Sequence, residues 1–248
     1  MAASGEADPI GGADQRAKLE ALGLFVGTIA HSIKGLCTGL DGGLYLMKSG
    51  EAKGDEERRQ RGVAMVQRNA NRLRRLVNNT LYYGKERPLS FAEVRIDGML
   101  TDVVETLGNK AHRLGIGFTT SKTGPYDTIT ADISALTAAI VNLVENALDA
   151  CSADAEDKPH VVELSAHASK ELVRFFIRDN GIGMDFDAKQ NATELFFSSK
   201  GSSGTGLGLF IAEQIATQHG GALDIQSEIG GGTCIMVTLP RNGSIDPQ

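Results

Sequence analysis

Apolar residues near the start of this chain recur with a helical spacing. From Leu22 they continue at Val26, Ile29, Ile33, Leu36, Leu40 and Met47, four and three apart in turn, with Gly43 in the skipped place. That is a heptad seam, and it predicts a helix. A polar loop over 49–55 interrupts it. A second seam runs through Val63, Val66, Ala70, Leu73, Val77 and Thr80, and Pro88 marks its end because its ring cannot continue a helix. Two helices joined by a short loop predict an antiparallel hairpin over 14–87. Each seam can bury one side only, so two hairpins should pair into a four-helix bundle and a homodimer is expected. Residues 1–13 carry no periodicity and read as a mobile tail or the cut edge of a longer protein.

From about residue 90 the pattern changes. Strand-like runs at 115–121, 161–166, 172–178, 222–227 and 234–239 alternate with helical runs at 132–151 and 207–218. This mixture predicts a separate α/β sandwich over 90–241, one sheet with helices on a face. The expected class is α+β: a helical hairpin followed by that sandwich.

Composition narrows the function. The 248 residues are 41% hydrophobic and 23% charged, as expected of a globular chain and not of collagen, a disulfide scaffold or a disordered polymer. No run approaches ~18 uncharged apolar residues, so no membrane span is expected, and no secretory signal is visible. The net charge of −6 argues against nucleic acid as a partner. Cys37, Cys151 and Cys234 are scattered, which fits a reducing cytoplasmic setting and no zinc site.

Three segments carry candidate chemistry. In the helical run 132–151, Leu136, Ile140, Leu143 and Ala147 form one stripe, while Asn142, Glu145, Asn146 and Asp149 share the other face. Asn is a mediocre helix former, so two of them one turn apart suggest a use, and an Asn carbonyl oxygen suits a hard cation such as Mg²⁺. Next, a strand runs straight into Asp179-Asn180-Gly181-Ile182-Gly183. An acid at a strand end can accept from an exocyclic amine, and the glycines let a ligand approach the backbone. Finally, Gly204, Gly206 and Gly208 lead into an amphipathic helix, whose bare amides attract phosphate. The polar stretch 185–203 before them, with Phe196-Phe197-Ser198-Ser199-Lys200, reads as a lid over a ligand.

NLVENALDA, DNGIGM, LFFSSK and GTGLGL, in this order, resemble the N, G1, F and G2 boxes of the sensor histidine kinase ATP-binding domain, of the superfamily that includes gyrase and the heat-shock chaperone ATPases. Upstream, Ala30-His31-Ser32-Ile33-Lys34-Gly35 resembles the H box of the dimerisation and phosphotransfer hairpin. With Ile29 at d and Ile33 at a, His31 falls at f, the most exposed heptad place. The resemblance implies Mg²⁺ at Asn146, with Asn142 helping at the metal and phosphates. It implies adenine at Asp179, the purine pocket at Gly181 and Gly183, and the lid hinge and phosphates at Gly204, Gly206 and Gly208. Lys200 would reach a phosphate. It further implies ATP as cofactor, His31 as phosphoacceptor and a response-regulator receiver domain as partner.

Two positions depart from that family. Ser32 follows the His where the family carries Glu or Asp, and Gly35 stands where it carries Thr or Asn. Both point to a slow autokinase with little phosphatase activity. The alternatives are a non-catalytic dimeric scaffold or phosphotransfer module, and an ATPase or serine-kinase switch of the same superfamily. The arginines between 58 and 75 on the second helix read equally as a dock for an acidic receiver or as a solvated face.

Overall fold

The computed structural model describes residues 9–84, 89–194, 197 and 206–243. The chain divides into two compact units, Met1–Leu81 and Tyr82–Gln248.

The first unit is a helical hairpin of α1 (Pro9–Lys53) and α2 (Glu56–Gly84). Residues 9–13, expected in a mobile tail, are helical instead; Pro at a first helical position is pre-organised for the turn and loses no needed donor. The connection is tight. Gly54 takes φ +65°, and the Asp55 carboxylate caps α2 by accepting from the Arg58 amide at 2.9 Å.

Glycines set how the two helices meet. A Cβ on Gly62 would lie 2.6 Å from the Met47 nitrogen and 2.7 Å from the Gly43 carbonyl oxygen. One on Gly43 would lie 2.8 Å from Val66 Cγ2, and one on Gly39 2.6 Å from the Asn69 amide. Small residues therefore let the backbones approach, and Asn69, buried by the contact, returns its Nδ2–H to the Met65 carbonyl at 2.9 Å. Gly35 has nothing within 4 Å and plays no part in this.

The single seam expected on each helix is split in two. On α1 the own-chain contact uses Leu36, Gly39, Gly43 and Gly50, while Val26, Ile33 and Leu44 stay exposed. On α2 the buried line is Gly62, Asn69 and Leu76, whereas Ala70 and Val77, expected in the seam, are exposed. A helix with two neighbours needs two stripes, and one hairpin supplies only one neighbour.

The second unit is the expected sandwich. Its five-stranded sheet has the order β2-β4-β5-β7-β6, from β2 (Gly117–Thr123), β4 (Val161–Ala168), β5 (Leu172–Asp179), β6 (Ala222–Glu228) and β7 (Gly232–Pro240). β2 runs parallel to β4, and the other pairs are antiparallel. β1 (Ala92–Arg95) and β3 (Thr128–Ala131) form a small antiparallel pair. Three helices supply the covering layer: α3 (Ile96–Leu114), α4 (Ile133–Ala153) and α6 (Gly208–Gln218), with α4 beside both others. Strict alternation in β4, β5 and β7 sends Leu164, Phe175, Ile177, Ile235 and Val237 inward. α4 meets the length and composition of a membrane-crossing helix. Here it is a core helix, with Leu136, Ile140, Leu143 and Leu148 fully buried.

Asp132 fastens this layer. Its carboxylate accepts from the Ala135 amide at 3.0 Å, capping α4, and from the Ser90 amide at 2.9 Å. Its own amide donates to His219 Nε2 at 3.1 Å. His219, read from the sequence as structural or surface, is a buried link between the two helices.

Candidate functional site

α4 brings Asn142, Glu145, Asn146 and Asp149 onto one half-buried face, opposite its buried stripe. The helical period places them there, and packing of the apolar stripe fixes which way they point. This face is flanked by the two glycine segments. Gly208, at the start of α6, lies against Asn146: a Cβ there would be 3.4 Å from Nδ2. Gly181 lies against Ala150, one turn further along α4, where a Cβ would be 2.5 Å from the carbonyl carbon. The helix, the loop after β5 and the start of α6 therefore meet on one turn of α4.

The loop after β5 is held by several hydrogen bonds. Asp179 Oδ1 accepts from the Gly181 amide at 2.9 Å, an Asx turn. Asn180 Oδ1 accepts from the Val161 amide at 2.8 Å, and its Nδ2 donates to the Pro159 carbonyl at 2.9 Å. The Ile182 amide donates to Ala150 and its carbonyl accepts from Gly230; the Met184 amide donates to Ser227 Oγ. Gly183 takes φ +66°, and a Cβ there would be 1.8 Å from the Glu228 oxygen. The room left by Gly181 and Gly183 is thus filled by this chain's own backbone rather than held open. Their local reason is the closeness of α4 and of the β6–β7 turn. Cys151 packs beneath, its thiol pushed up to about 11 by burial and by the Asp179 charge. It is inert at neutral pH.

Gly206 takes φ +63° just before α6, and Leu207 beside it is buried. Leu207, at the N-cap place of α6, makes no side-chain cap hydrogen bond. Lys200 and Gly204 lie outside the described residues, as do Phe196, Ser198 and Ser199. The part of the expected lid that is described is more ordered than a plain loop. It begins with α5 (Phe186–Gln190), capped by Asp185 accepting from Ala188 at 2.7 Å, and Ala188 and Ala192 are buried. In the other unit, His31 is exposed on α1.

Lys110 was missed by the sequence reading. It reaches from α3 to Asp149 Oδ1 at 3.0 Å and to Glu145 Oε1 at 3.4 Å. The signal for α3 was present: Ile96, Met99, Leu100, Val103, Leu107 and Ala111 follow a helical spacing and are buried. No spacing within α4 points to a lysine on another helix.

Residues 131–243 match the family described as histidine kinase-, DNA gyrase B-, and HSP90-like ATPase. The segment is a histidine kinase-like ATPase domain. The sensor histidine kinase ZraS of Escherichia coli (strain K12) is 28% identical over 238 residues, which take in 94% of this chain and 49% of ZraS. The solved structure of full-length ShkA in complex with AMPPNP is 30% identical, with TM-score 0.61, covering 77% of this chain and 40% of its own. That of histidine kinase ThkA in complex with response regulator protein TrrA shares the fold. It has TM-score 0.69 and 22% identity, and covers 92% of this chain and 64% of its own. The likeness to ZraS and ThkA therefore takes in the hairpin as well as the ATPase domain. The chain spans from about a quarter to about half the length of the curated relatives it matches.

Proposed function

We propose that the chain is the cytoplasmic kinase core of a two-component signalling protein. It would be a homodimer that binds Mg·ATP, phosphorylates His31 and passes the phosphoryl group to an aspartate of a receiver domain. The observation that carries this reading is the meeting of Asn146, the Asp179 loop and the Gly208 helix start on one turn of α4, in a domain of an ATPase family.

Each residue then has a task. Asp179 accepts the adenine amine with the carboxylate that also holds the Gly181 turn. Gly206 and Gly208 shape the backbone where the phosphates approach. The oxygen donors on the α4 face suit a hard cation, which is commonly held by one or two protein oxygens together with substrate phosphates. Asn146 would hold Mg²⁺ with help from Asn142, and the ion would neutralise phosphate charge. Lys200 and Gly204 would act at the phosphates. His31 supplies the nucleophile, since neutral imidazole carries a lone pair on nitrogen. Positioning and charge neutralisation dominate phosphoryl transfer, so the step proceeds slowly without a carboxylate after the histidine. Asn142 stands where hydrolytic relatives carry a water-activating Glu, which favours transfer to a side chain over hydrolysis.

The exposed apolar positions Val26, Ile33, Leu44 and Val77 favour the homodimer, because a partner hairpin would cover them. Incubation with γ-labelled ATP and Mg²⁺ tests the autokinase step at its centre. Acid-labile, alkali-stable label should appear on the chain and vanish in His31→Gln, with nucleotide binding kept. No retained label in the unmodified chain would leave the scaffold reading.

A further inference from the structure

Among the described residues, the α4 face that would meet a nucleotide carries an electrostatic difficulty. Glu145 and Asp149, one turn apart, lie with Asn142 and Asn146 on the polar side of α4, at the i, i+3, i+4 and i+7 places. Their side chains are only 18% and 33% exposed, and charges that are partly buried are weakly screened by salt. A triphosphate arriving at Asn146 would meet two like charges. Lys110 stands between those two acids, itself 26% exposed.

We infer that Lys110 is a positioning residue of the nucleotide site: its ammonium offsets Glu145 and Asp149 so that a polyphosphate can approach Asn146. The inference rests on the nucleotide reading above. It assigns Lys110 no contact with the ligand. The lysine acts through the two carboxylates, holding them toward α3 and placing a positive charge beside them. A strut between α3 and α4 would use the same contacts, but it would not respond to the charge of the ligand.

The test uses the full chain and two probes, Mg·ATP by calorimetry and adenosine by saturation-transfer NMR. Lys110→Met should raise the Kd for Mg·ATP about tenfold at low salt while leaving adenosine binding unchanged. Higher ionic strength should narrow the gap only slightly, because these side chains are partly buried. Lys110→Arg should bind as the unmodified chain does. Adding Asp149→Asn to Lys110→Met should recover most of the affinity, because it removes the charge that the lysine offset. Circular dichroism confirms that each variant is folded. Unchanged Mg·ATP affinity in Lys110→Met overturns the inference alone, as does equal weakening of both probes, or a double variant no better than the single one. An unmodified chain that binds neither probe overturns the nucleotide reading and the inference with it.

Discussion

A single carboxylate does two jobs at Asp179. One oxygen holds the Gly181 amide, which an asparagine oxygen could also do, while adenine recognition needs an acceptor that an amide NH₂ cannot replace. Asp179→Asn should therefore keep the fold and weaken Mg·ATP by about 1.5–3 kcal/mol, roughly ten- to a hundredfold in Kd. Calorimetry showing unmodified affinity would remove adenine from this residue. His219 shows how burial makes a titratable group structural. Its Nδ1–H donates to the Ile215 carbonyl at 2.7 Å and its Nε2 accepts from Asp132, so the neutral ring is the one that fits. Burial pushes its pKa down, against the pull of the Ile215 hydrogen bond and the Asp132 charge. The unfolded chain binds the proton more readily than the folded one, so stability rises with pH. His219's contribution is whole above the ordinary imidazole value of about 6.5 and is lost as pH falls below it. Amide hydrogen exchange in α6 should accelerate between pH 7.5 and pH 5.5, after correction for intrinsic rates, and His219→Gln should flatten that dependence.

Two elements illustrate why a glycine's meaning depends on its neighbour. Gly62 and Gly35 look alike as helix-interior glycines, each expected to cost about 1 kcal/mol against alanine. Against Gly62 lie the Met47 nitrogen and the Gly43 oxygen, backbone atoms that cannot swing aside. Gly62→Leu should force the helices apart and cost at least the 1–3 kcal/mol typical of overpacking. Gly35→Ala enters open space and should stabilise α1 by about the propensity difference. Thermal unfolding of the full chain should move in opposite directions for the two. Equal shifts would mean that α1 and α2 do not approach at Gly62. The basic face of α2 belongs to the same scale. Arg59 pairs with Glu56 and Arg61 with Glu57, and Arg58 bonds Ser49. The first part of that face is thus occupied by local partners, the Arg59 guanidinium and Gln60 holding the Glu56 carboxyl at about 2.

At the scale of the whole molecule, the proposed homodimer rests on the apolar residues that the hairpin leaves exposed. Leu44 and Val77 are each 45% exposed in a single chain, far more than a core position allows. Leu44→Asp should therefore leave the hairpin folded but convert a dimer to a monomer, measured by light scattering coupled to size exclusion. A persistent dimer would show that the partner lies elsewhere. If the dimer is needed for His31 to be reached by the kinase domain, the same variant should lose autophosphorylation while keeping nucleotide binding.

Periodicity was enough to place the hairpin, the sandwich and the polar face of α4, because a helix or strand writes its own repeat into the residues that must be buried. Motif order was enough to name the ATPase family, since each box is a short contiguous stretch. Other features arise only when distant segments touch. Lys110 meets Glu145 and Asp149 across two helices. His219 meets Asp132 from the far end of α6. Gly181 and Gly183 owe their identity to backbone that arrives from α4 and from the β6–β7 turn. The heptad seam announced that α1 and α2 would be covered, but only packing decided that one stripe is covered within the chain and the other left exposed. Local spacing records which side of an element is apolar. It carries no record of which neighbour will come to that side, because that is settled by chain topology and close packing in three dimensions.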